Sequence, residues 1–156
     1  AGAAVAAVKG ETSLPVFSKL SPNVPDILPI AKAVVQAGTD GIVLSNTIPA
    51  MLIDIESRKP ILGGITGGIS GPALHPVALA LVYRVSQALD VPIIGVGGIF
   101  TAKEALAFIM AGAAAVQVGS ANLAGLSAPL RILDELRSYM VENEIGDLGT
   151  LVGAAW

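Results

Sequence analysis

Short apolar runs alternate with helical patterns along the chain, and nearly every apolar run ends in a glycine-rich or polar turn. The clearest example consists of five consecutive segments: Pro92–Val96, Gly97-Gly98, Thr101–Ala111, Ala114–Val118 and Gly119-Ser120. The two apolar runs are too short for helices, and their uninterrupted apolar character is typical of strands buried on both faces of a parallel sheet. The pattern therefore predicts strand, glycine turn, helix, strand and glycine turn.

The same alternation predicts four strand–helix repeats. These are Pro15–Ala37, Gly41–Leu89, Pro92–Ala111 and Ala114–Asn143. Glycine-rich or polar turns follow the strands, as in a (β/α) barrel, whose functional loops share the carboxyl face of the sheet. A complete barrel needs eight such units and about 250 residues. We therefore expect an α/β fold that is the C-terminal half of a TIM (β/α)8 barrel, with four parallel strands each followed by a helix, and a single partial domain over residues 1–156.

Several further segments, inside and outside the repeats, have patterns of their own. Ala3–Val8 has the pattern of the tail of a helix, and we expect that the sequence is cut from a longer one. The connection 48–65 lacks helical periodicity and predicts a solvated loop or hairpin. Pro129–Asn143 predicts an amphipathic helix. Its inward positions would be Leu130, Leu133, Leu136 and Met140. Asp147–Ala155 predicts a short closing helix, and we expect Trp156 to pack rather than bind.

The composition narrows the class of protein. Hydrophobic residues make up 53% of the chain and charged residues 13%, and the mean hydropathy is +0.74. No stretch offers the roughly 18 consecutive apolar residues of a membrane-spanning helix, so we expect a soluble, mostly buried chain without a membrane segment. A net charge of -3 and a pI near 5.0 argue against nucleic-acid binding. The absence of cysteine excludes disulfides, thiolate metal sites and a cysteine catalyst within these residues, and a cytoplasmic location is the default.

The two glycine turns that follow the last two strands predict a phosphate site. Glycine lets backbone N–H groups approach an anion closely, and a helix that starts after each turn would add the positive end of its dipole. The alternative is that these glycines only close tight turns. Two such turns one repeat apart favour a single phosphate cradle, formed by Gly97, Gly98, Gly119 and Ser120.

Polar residues at the ends of the first two predicted strands are further candidates. Lys19 ends an otherwise apolar strand, where an ammonium group needs a partner or water. Its position favours a ligand contact over a lysine that merely reaches solvent. Asn46 and Thr47 follow the second strand and could bind a polar planar ligand, although an Asx-turn explains the local pattern at least as well.

The remaining candidates are weaker. Gly71 belongs to a glycine-rich loop that opens a helix, which suits an anion. His75, the one histidine, is interpreted as structural, because no second histidine or any cysteine accompanies it as a metal ligand; we expect no metal site. Asp54 and Glu56 are most simply charges on a solvated loop, and acid–base chemistry is the less favoured reading.

With these residues considered together, the chain resembles the dihydroorotate dehydrogenases, which are flavin mononucleotide (FMN) barrel enzymes of pyrimidine biosynthesis. The resemblance extends from about Pro15 to Ala155 and is greatest to the NAD-linked class. It rests on five motifs in order: Lys19–Asn23, Asn46-Thr47, Ile65–Ala73, Ile94–Ile99 and Val118–Asn122. Five motifs with compatible gaps are a much more specific signal than any one glycine turn.

The resemblance implies a role for each candidate. Lys19 would contact the flavin near its reactive ring and stabilise negative charge, and Ser45 and Gly71 would also touch the flavin. Asn46 and Thr47 would hold orotate or dihydroorotate. The four residues of the phosphate cradle would bind the phosphate of FMN, the role that the residue pattern also predicts.

The resemblance also implies parts that these residues do not supply. The catalytic base of the NAD-linked class would be a cysteine, and we attribute its absence here to truncation. The implied partners are a second copy of the catalytic chain and an electron-transfer subunit with FAD and an iron–sulfur cluster. Two alternatives remain open: a related FMN barrel such as a dihydropyrimidine dehydrogenase, and a non-catalytic half-barrel that binds phosphate or self-associates.

Overall fold

The computed structural model describes residues 1–156. The helices are α1 (Gly2–Glu11), α2 (Leu28–Gln36), α3 (His75–Ala88), α4 (Ala102–Met110), α5 (Ala121–Ala124) and α6 (Ala128–Glu142). The strands are β1 (Phe17–Leu20), β2 (Gly41–Leu44), β3 (Ile48–Ala50), β4 (Ile53–Asp54), β5 (Lys59–Pro60), β6 (Gly67–Ile69), β7 (Ile93–Val96) and β8 (Ala115–Gln117). Short 3-10 turns cover Pro72–Leu74 and Leu148–Leu151.

Four strands form one parallel sheet in the order β1-β2-β7-β8. In the register of this sheet Lys19 lies beside Val43, Val43 beside Ile94, and Ile94 beside Ala115. A helix follows each strand of this sheet before the next strand of the sheet or the end of the chain, which confirms the four predicted strand–helix repeats. The arrangement fits half of a (β/α)8 barrel, and it brings the carboxyl ends of all four strands to one edge of the sheet.

The strands are less evenly buried than predicted. Every residue of β2 is buried, whereas Phe17 and Lys19 of β1 and Ala115 and Gln117 of β8 are exposed. The expectation that both runs of the central stretch are buried on both faces is therefore wrong for β8. The reason is its position, because β1 and β8 are the two edges of the open sheet and have no strand beyond them.

Local signals explain where two of the helices begin and end. Asp26 accepts a hydrogen bond from the Leu28 N–H at 3.1 Å at the start of α2, and Gly38, with φ of 90°, follows its last turn. Helix α4 begins with a capping box, in which the Thr101 hydroxyl accepts from the backbone while Glu104 accepts from the Thr101 N–H. These contacts agree with the predicted segments that end at Ala37 and begin at Thr101.

The core lies between the sheet and helices α2, α3 and α4, and its largest fully buried side chain is Phe108. Helix α6 packs on this core differently from the prediction. Ile132 is 3% exposed, whereas Leu130 and Leu133 are 67% and 43% exposed, so their inward assignment is wrong. The face that packs inward contains Ala128, Ile132 and the half-buried Leu136, at positions i, i+4 and i+8.

Residues 48–69 form an arm of two short antiparallel pairs, β3 with β6 and β4 with β5. The arm confirms the predicted solvated hairpin, but it also exposes many aliphatic side chains. Only 31 of the 156 residues are buried, so the expectation of a mostly buried chain is wrong. The open sheet edges and the arm account for much of the difference. None of the helices combines the length and apolar character that would be needed to cross a membrane.

Candidate functional site

A cavity of about 200 Å³ lies at the carboxyl ends of the four parallel strands. It is lined by eight of the nine site residues predicted from the sequence: Lys19, Ser45, Asn46, Thr47, Gly97, Gly98, Gly119 and Ser120. Ser70, Leu74 and Val96 complete the lining. A larger groove of about 970 Å³ between α4 and α6 contains none of the predicted site residues. The candidate site is therefore the smaller cavity, where the chain's polar turns meet.

The sheet itself brings these turns together. The Ser45 N–H donates a hydrogen bond of 2.9 Å to the Val96 carbonyl oxygen, so the end of β2 is fixed beside the end of β7. On the far side, Val96 pairs with Gln117 of β8, which places Gly119 next to the turn that follows β7. Lys19 reaches the cavity from β1, one strand beyond β2. Parallel pairing therefore gathers residues that are up to about one hundred positions apart in sequence.

The backbone of the two glycine turns has unused hydrogen-bond donors. The N–H groups of Gly97, Gly98, Gly119 and Ser120 donate no hydrogen bond within the chain, to backbone or to side chain. Backbone N–H groups of a folded chain nearly always have a partner in the protein or in solvent. Four free donors on one small cavity are suited to an anion with several oxygen atoms.

The glycines of the cavity differ in what surrounds their α-carbons. Gly97 and Gly98 have φ values of 142° and 68°, which residues other than glycine rarely adopt. A Cβ at Gly97 would lie 2.8 Å from the Cβ of Ala78. At Gly119, by contrast, an added Cβ would meet no atom within 4 Å. The first turn therefore requires glycine for packing, while the second leaves open space at the cavity.

Gly71 is the one predicted site residue that does not line the cavity. It is buried behind the first glycine turn, with φ of 92°, and its carbonyl oxygen accepts from the Leu74 N–H at 3.0 Å. Its neighbour Ser70 does line the cavity. Ser70 belongs to the motif Ile65–Ala73 and was not among the predicted site residues. Its position beside Gly71, in the loop that opens α3, is the signal that could have identified it.

The electrostatic character of the cavity is positive. Lys19 is the only charged residue in its lining, which contains no carboxylate. The Lys19 ammonium group forms none of the four ion pairs of the chain and donates to no side chain. In a chain of net charge -3, an unpaired cation beside free N–H groups favours an anionic ligand.

The predicted contribution of helix dipoles is wrong for α4. Its first N–H groups are occupied by carboxylates of the chain itself, because Glu104 accepts from the Thr101 N–H at 2.7 Å and Glu135 accepts from the Ala102 N–H at 2.8 Å. The bond from Ala102 holds the pKa of Glu135 below its usual value, with a further contribution from Arg131. Burial raises the pKa of Glu104, but the hydrogen bonds from Thr101 outweigh it and lower the pKa.

The helix that follows the second glycine turn, α5, is also unsuited to binding an anion with its dipole, because it is only four residues long. The anion-binding character of the cavity therefore comes from the loop N–H groups and Lys19.

Asn46 and Thr47 form the polar wall next to the end of β2. The Asn46 side-chain oxygen accepts from the Thr47 N–H at 2.8 Å, which leaves the Asn46 amide nitrogen free to donate. Asn23 donates to the Thr47 carbonyl oxygen at 2.9 Å and is itself held by the Ser21 hydroxyl. Asn23 therefore positions Thr47, a supporting role that the sequence alone did not reveal.

The other sequence candidates lie outside the cavity. The ring of His75 packs edge-on against Phe108 with centroids 5.1 Å apart, and its Nδ1 atom is buried without a hydrogen-bond partner. This packing agrees with a structural role. Asp54 and Glu56 are exposed on the arm. No group of three or more potential metal-ligating side chains is present in the structure.

Comparison with known proteins relates the chain to one protein family. Residues 2–140 match the dihydroorotate dehydrogenase family. The chain is 53% identical over 148 residues to a protein of Desulforamulus reducens, 52% over 153 residues to one of Desulforudis audaxviator, and 51% over 150 residues to one of Geotalea daltonii. Each of these relatives is named dihydroorotate dehydrogenase B (NAD(+)), catalytic subunit.

The matches cover nearly all of this chain but only part of each relative. They include 95%, 98% and 96% of the chain, and 49%, 50% and 49% of the three relatives. The chain therefore spans about half the length of the curated relatives it matches.

Proposed function

The chain belongs to the dihydroorotate dehydrogenase family, and from this premise we propose that it is part of an FMN-dependent enzyme that oxidises dihydroorotate to orotate in pyrimidine biosynthesis. One observation carries the proposal for the site: two separate glycine turns, whose N–H groups have no partner in the chain, line the same cavity as an unpaired lysine. The cavity suits the phosphate end of a flavin nucleotide together with a polar planar substrate.

The donor set of the cavity fits the phosphate of FMN. A phosphate monoester carries close to two negative charges and three oxygen atoms that accept hydrogen bonds at neutral pH. Gly97, Gly98, Gly119 and Ser120 would supply backbone donors to these oxygen atoms, and the Ser120 hydroxyl adds a side-chain donor. The open space at Gly119 leaves room for the phosphate where any side chain would intrude.

The side chains of the cavity would divide the remaining tasks. FMN, when bound, supplies the site that accepts hydride from dihydroorotate. Lys19 would stabilise the negative charge that hydride transfer brings into the cavity. Its ammonium charge is available for this, because the lining contains no carboxylate that would neutralise the ammonium group. Asn46 and Thr47 would orient the substrate through the free Asn46 amide and the Thr47 hydroxyl. Ser45, fully buried beside Val96, and Gly71, behind Gly98, would support the flavin side of the cavity.

Oxidation of dihydroorotate also requires that a proton leave the carbon next to the hydride donor. The cavity lining contains no carboxylate, histidine or cysteine that could accept this proton. We assign the proton acceptor to a residue outside these 156, in keeping with the cysteine base expected for the NAD-linked class. The chain described here would thus bind and orient, while another part of the full-length enzyme removes the proton.

The names of the relatives support a proposal about partner subunits. Each relative is called a catalytic subunit, a term that implies at least one further subunit. We propose that the enzyme forms a homodimer of catalytic chains and passes electrons to a subunit with FAD and an iron–sulfur cluster, and from there to NAD. An acidic chain without cysteine suits the reducing conditions of the cytoplasm.

Substrate oxidation can be tested through the colour of the flavin. The full-length enzyme is desalted, made anaerobic and mixed with dihydroorotate or with dihydrouracil, and the flavin absorbance is followed. We expect rapid bleaching with dihydroorotate and little with dihydrouracil. Bleaching with dihydrouracil alone would instead identify a dihydropyrimidine dehydrogenase, and a desalted protein without flavin would favour a non-catalytic phosphate-binding role.

A further inference from the structure

Gly68 packs against the side chain of Thr47, one of the two residues predicted to hold the substrate. A Cβ built at Gly68 would overlap the Thr47 hydroxyl oxygen, and it would lie 2.6 Å from the Thr47 Cβ and 3.1 Å from the Thr47 Cγ2. These are the three nearest atoms, so Thr47 is what a side chain at position 68 would meet first. The Thr47 hydroxyl therefore occupies space that is free because residue 68 is glycine.

The antiparallel pair of β3 and β6, at the base of the arm, brings the two residues together. Gly68 of β6 pairs with Pro49 of β3. Thr47 directly precedes β3 and Ser70 directly follows β6, and both of them line the cavity. Gly68 itself does not line the cavity. The base of the arm therefore ends beside the cavity, and Gly68 can influence a ligand there through Thr47.

The backbone of Thr47 is anchored within the chain, whereas its hydroxyl is not. The Thr47 N–H donates to the Asn46 side-chain oxygen at 2.8 Å, and the Thr47 carbonyl oxygen accepts from the Asn23 amide at 2.9 Å. The Thr47 hydroxyl makes no hydrogen bond within the chain. Because a β-branched side chain has few χ1 rotamers, packing decides where this hydroxyl lies. The contact with Gly68 therefore selects the position from which the hydroxyl can bind a ligand.

Backbone conformation does not explain why residue 68 is glycine. Gly71 and Gly98 have positive φ values, which favour glycine, but Gly68 does not. Gly68 is also exposed, and no buried neighbour needs the space beside it. An alanine could adopt the same backbone conformation at this position. The contact with Thr47 is the feature of the structure that a side chain here would disturb.

We propose that Gly68 is a positioning residue for the substrate, because it leaves the space in which the Thr47 hydroxyl can bind a polar atom of the substrate ring. A hydroxyl both donates and accepts hydrogen bonds, so it suits a ring carbonyl or a ring N–H of a planar imide. Gly68 touches neither flavin nor substrate and acts only through Thr47. The inference rests on the proposed function, since it requires a substrate that Thr47 binds.

Gly68→Ala tests the inference, and Gly67→Ala is its matched control. Gly67 is the preceding residue of β6, and a Cβ there would meet only the tip of the Leu62 side chain, at 2.7 Å. The full-length, flavin-loaded protein is titrated with orotate by calorimetry, and steady-state kinetics with dihydroorotate give kcat and KM. We expect Gly68→Ala to raise the orotate dissociation constant and KM by about tenfold, the effect of one misplaced hydrogen bond, with a smaller change in kcat and no loss of flavin. Gly67→Ala should behave as the wild type.

A double-variant cycle with Thr47→Val separates positioning from general damage to the arm. Valine is branched at the same atom as threonine but has no hydroxyl, so Gly68→Ala creates a similar overlap in either background. In the Thr47→Val background, Gly68→Ala should change the orotate dissociation constant by less than about twofold, because no hydroxyl is left to misplace.

Three results would overturn the inference while the wild type still binds orotate. They are an unchanged dissociation constant for Gly68→Ala, an equal loss of affinity in Gly67→Ala, and an equal effect of Gly68→Ala in the threonine and valine backgrounds. A flavin-loaded wild type that binds no orotate would overturn the proposed function together with this inference. The orotate titration of the wild type therefore distinguishes the two failures.

Discussion

Gly98 packs directly against the carbonyl oxygen of Gly71: a Cβ built at Gly98 would lie 2.7 Å from that oxygen. Gly71 belongs to the loop that opens α3, and Gly98 to the turn that follows β7. Both residues have positive φ values, of 92° and 68°. Two separate glycine loops are thus fitted to each other, and this contact fixes the first half of the candidate phosphate site.

Gly98→Ala should therefore damage both the fold and the flavin site. The added Cβ would meet backbone atoms of Gly71 and His75, and alanine is strained at this φ. Overpacking and strain of this kind lower the free energy of unfolding by about 1–3 kcal/mol. The measurements are urea denaturation and flavin content after desalting of the full-length protein. An unchanged denaturation midpoint with full flavin retention would show that the turn is not tightly packed.

Gly119→Ala should separate binding from folding. An added Cβ at Gly119 meets no protein atom within 4 Å and φ there is not positive, so the denaturation midpoint should stay within error of the wild type. Because Gly119 lines the cavity, the added methyl group would occupy space that the phosphate needs and move the phosphate away from the backbone N–H groups. FMN affinity should therefore fall by about tenfold or more, the effect of weakening one charge-assisted hydrogen bond.

Gly146→Ala is the matched control, since Gly146 also has open space and lies outside the cavity. It should leave both the denaturation midpoint and FMN affinity unchanged. Equal affinities for FMN in the two alanine variants would remove Gly119 from the phosphate site.

Lys19→Ala should slow flavin reduction far more than it weakens flavin retention. The lysine is the only charge in the cavity lining, and we expect it to act on the negative charge that hydride transfer introduces. Rapid-mixing absorbance at saturating dihydroorotate should show a rate reduced by about 100-fold or more. Lys32→Ala, on the exposed face of α2, is the control. Reduction at the wild-type rate would rule out a catalytic role for Lys19.

Glu135→Gln should lower stability at neutral pH but not in acid. The hydrogen bond from Ala102 depresses the pKa of Glu135 in the folded chain below its ordinary 4.5. A depressed pKa stabilises the fold above the unfolded value, and this stabilisation is lost as the pH falls through the folded value. The melting temperature of the variant should be about 1–3 °C lower at pH 7, with a difference that shrinks below pH 4.5.

Glu142→Gln, on the same helix, serves as the control for this effect, because the wild-type Glu142 side chain makes no hydrogen bond to α4. Its melting temperature should follow the wild type at every pH. A difference between Glu135→Gln and wild type that is the same at pH 7 and pH 3 would contradict the assigned role of the carboxylate.

The features that sequence predicts well here are those with local causes. The helix that begins after Thr101 and the end of the first repeat at Ala37 were predicted, and the structure shows local causes for both: the Thr101–Glu104 capping box and the positive φ of Gly38. Alternating patterns then imply a parallel sheet, and the parallel sheet implies that turns after successive strands meet. This chain of inference is why eight of the nine predicted site residues line one cavity. Their binding roles remain predictions.

The features that sequence missed depend on distant partners. Leu130 and Leu133 satisfy a helical apolar pattern, but only the packing of α6 on the core decides that Ile132 is the buried residue. Two carboxylates accept hydrogen bonds from the first N–H groups of α4. One of them belongs to Glu135, which is 33 positions away from its donor, Ala102. Such long-range contacts have no local signature, and so the unavailability of the α4 dipole could not be foreseen.

The central claim is that backbone N–H groups of the two glycine turns bind the same phosphate group. The most direct test compares the dissociation constants of FMN and riboflavin, which differ only in that phosphate, for the full-length protein and for Gly119→Ala. We predict that the wild type binds FMN at least about 100-fold more tightly than riboflavin, and that Gly119→Ala loses much of this preference while binding riboflavin normally. Equal affinity of the wild type for the two flavins would contradict the claim.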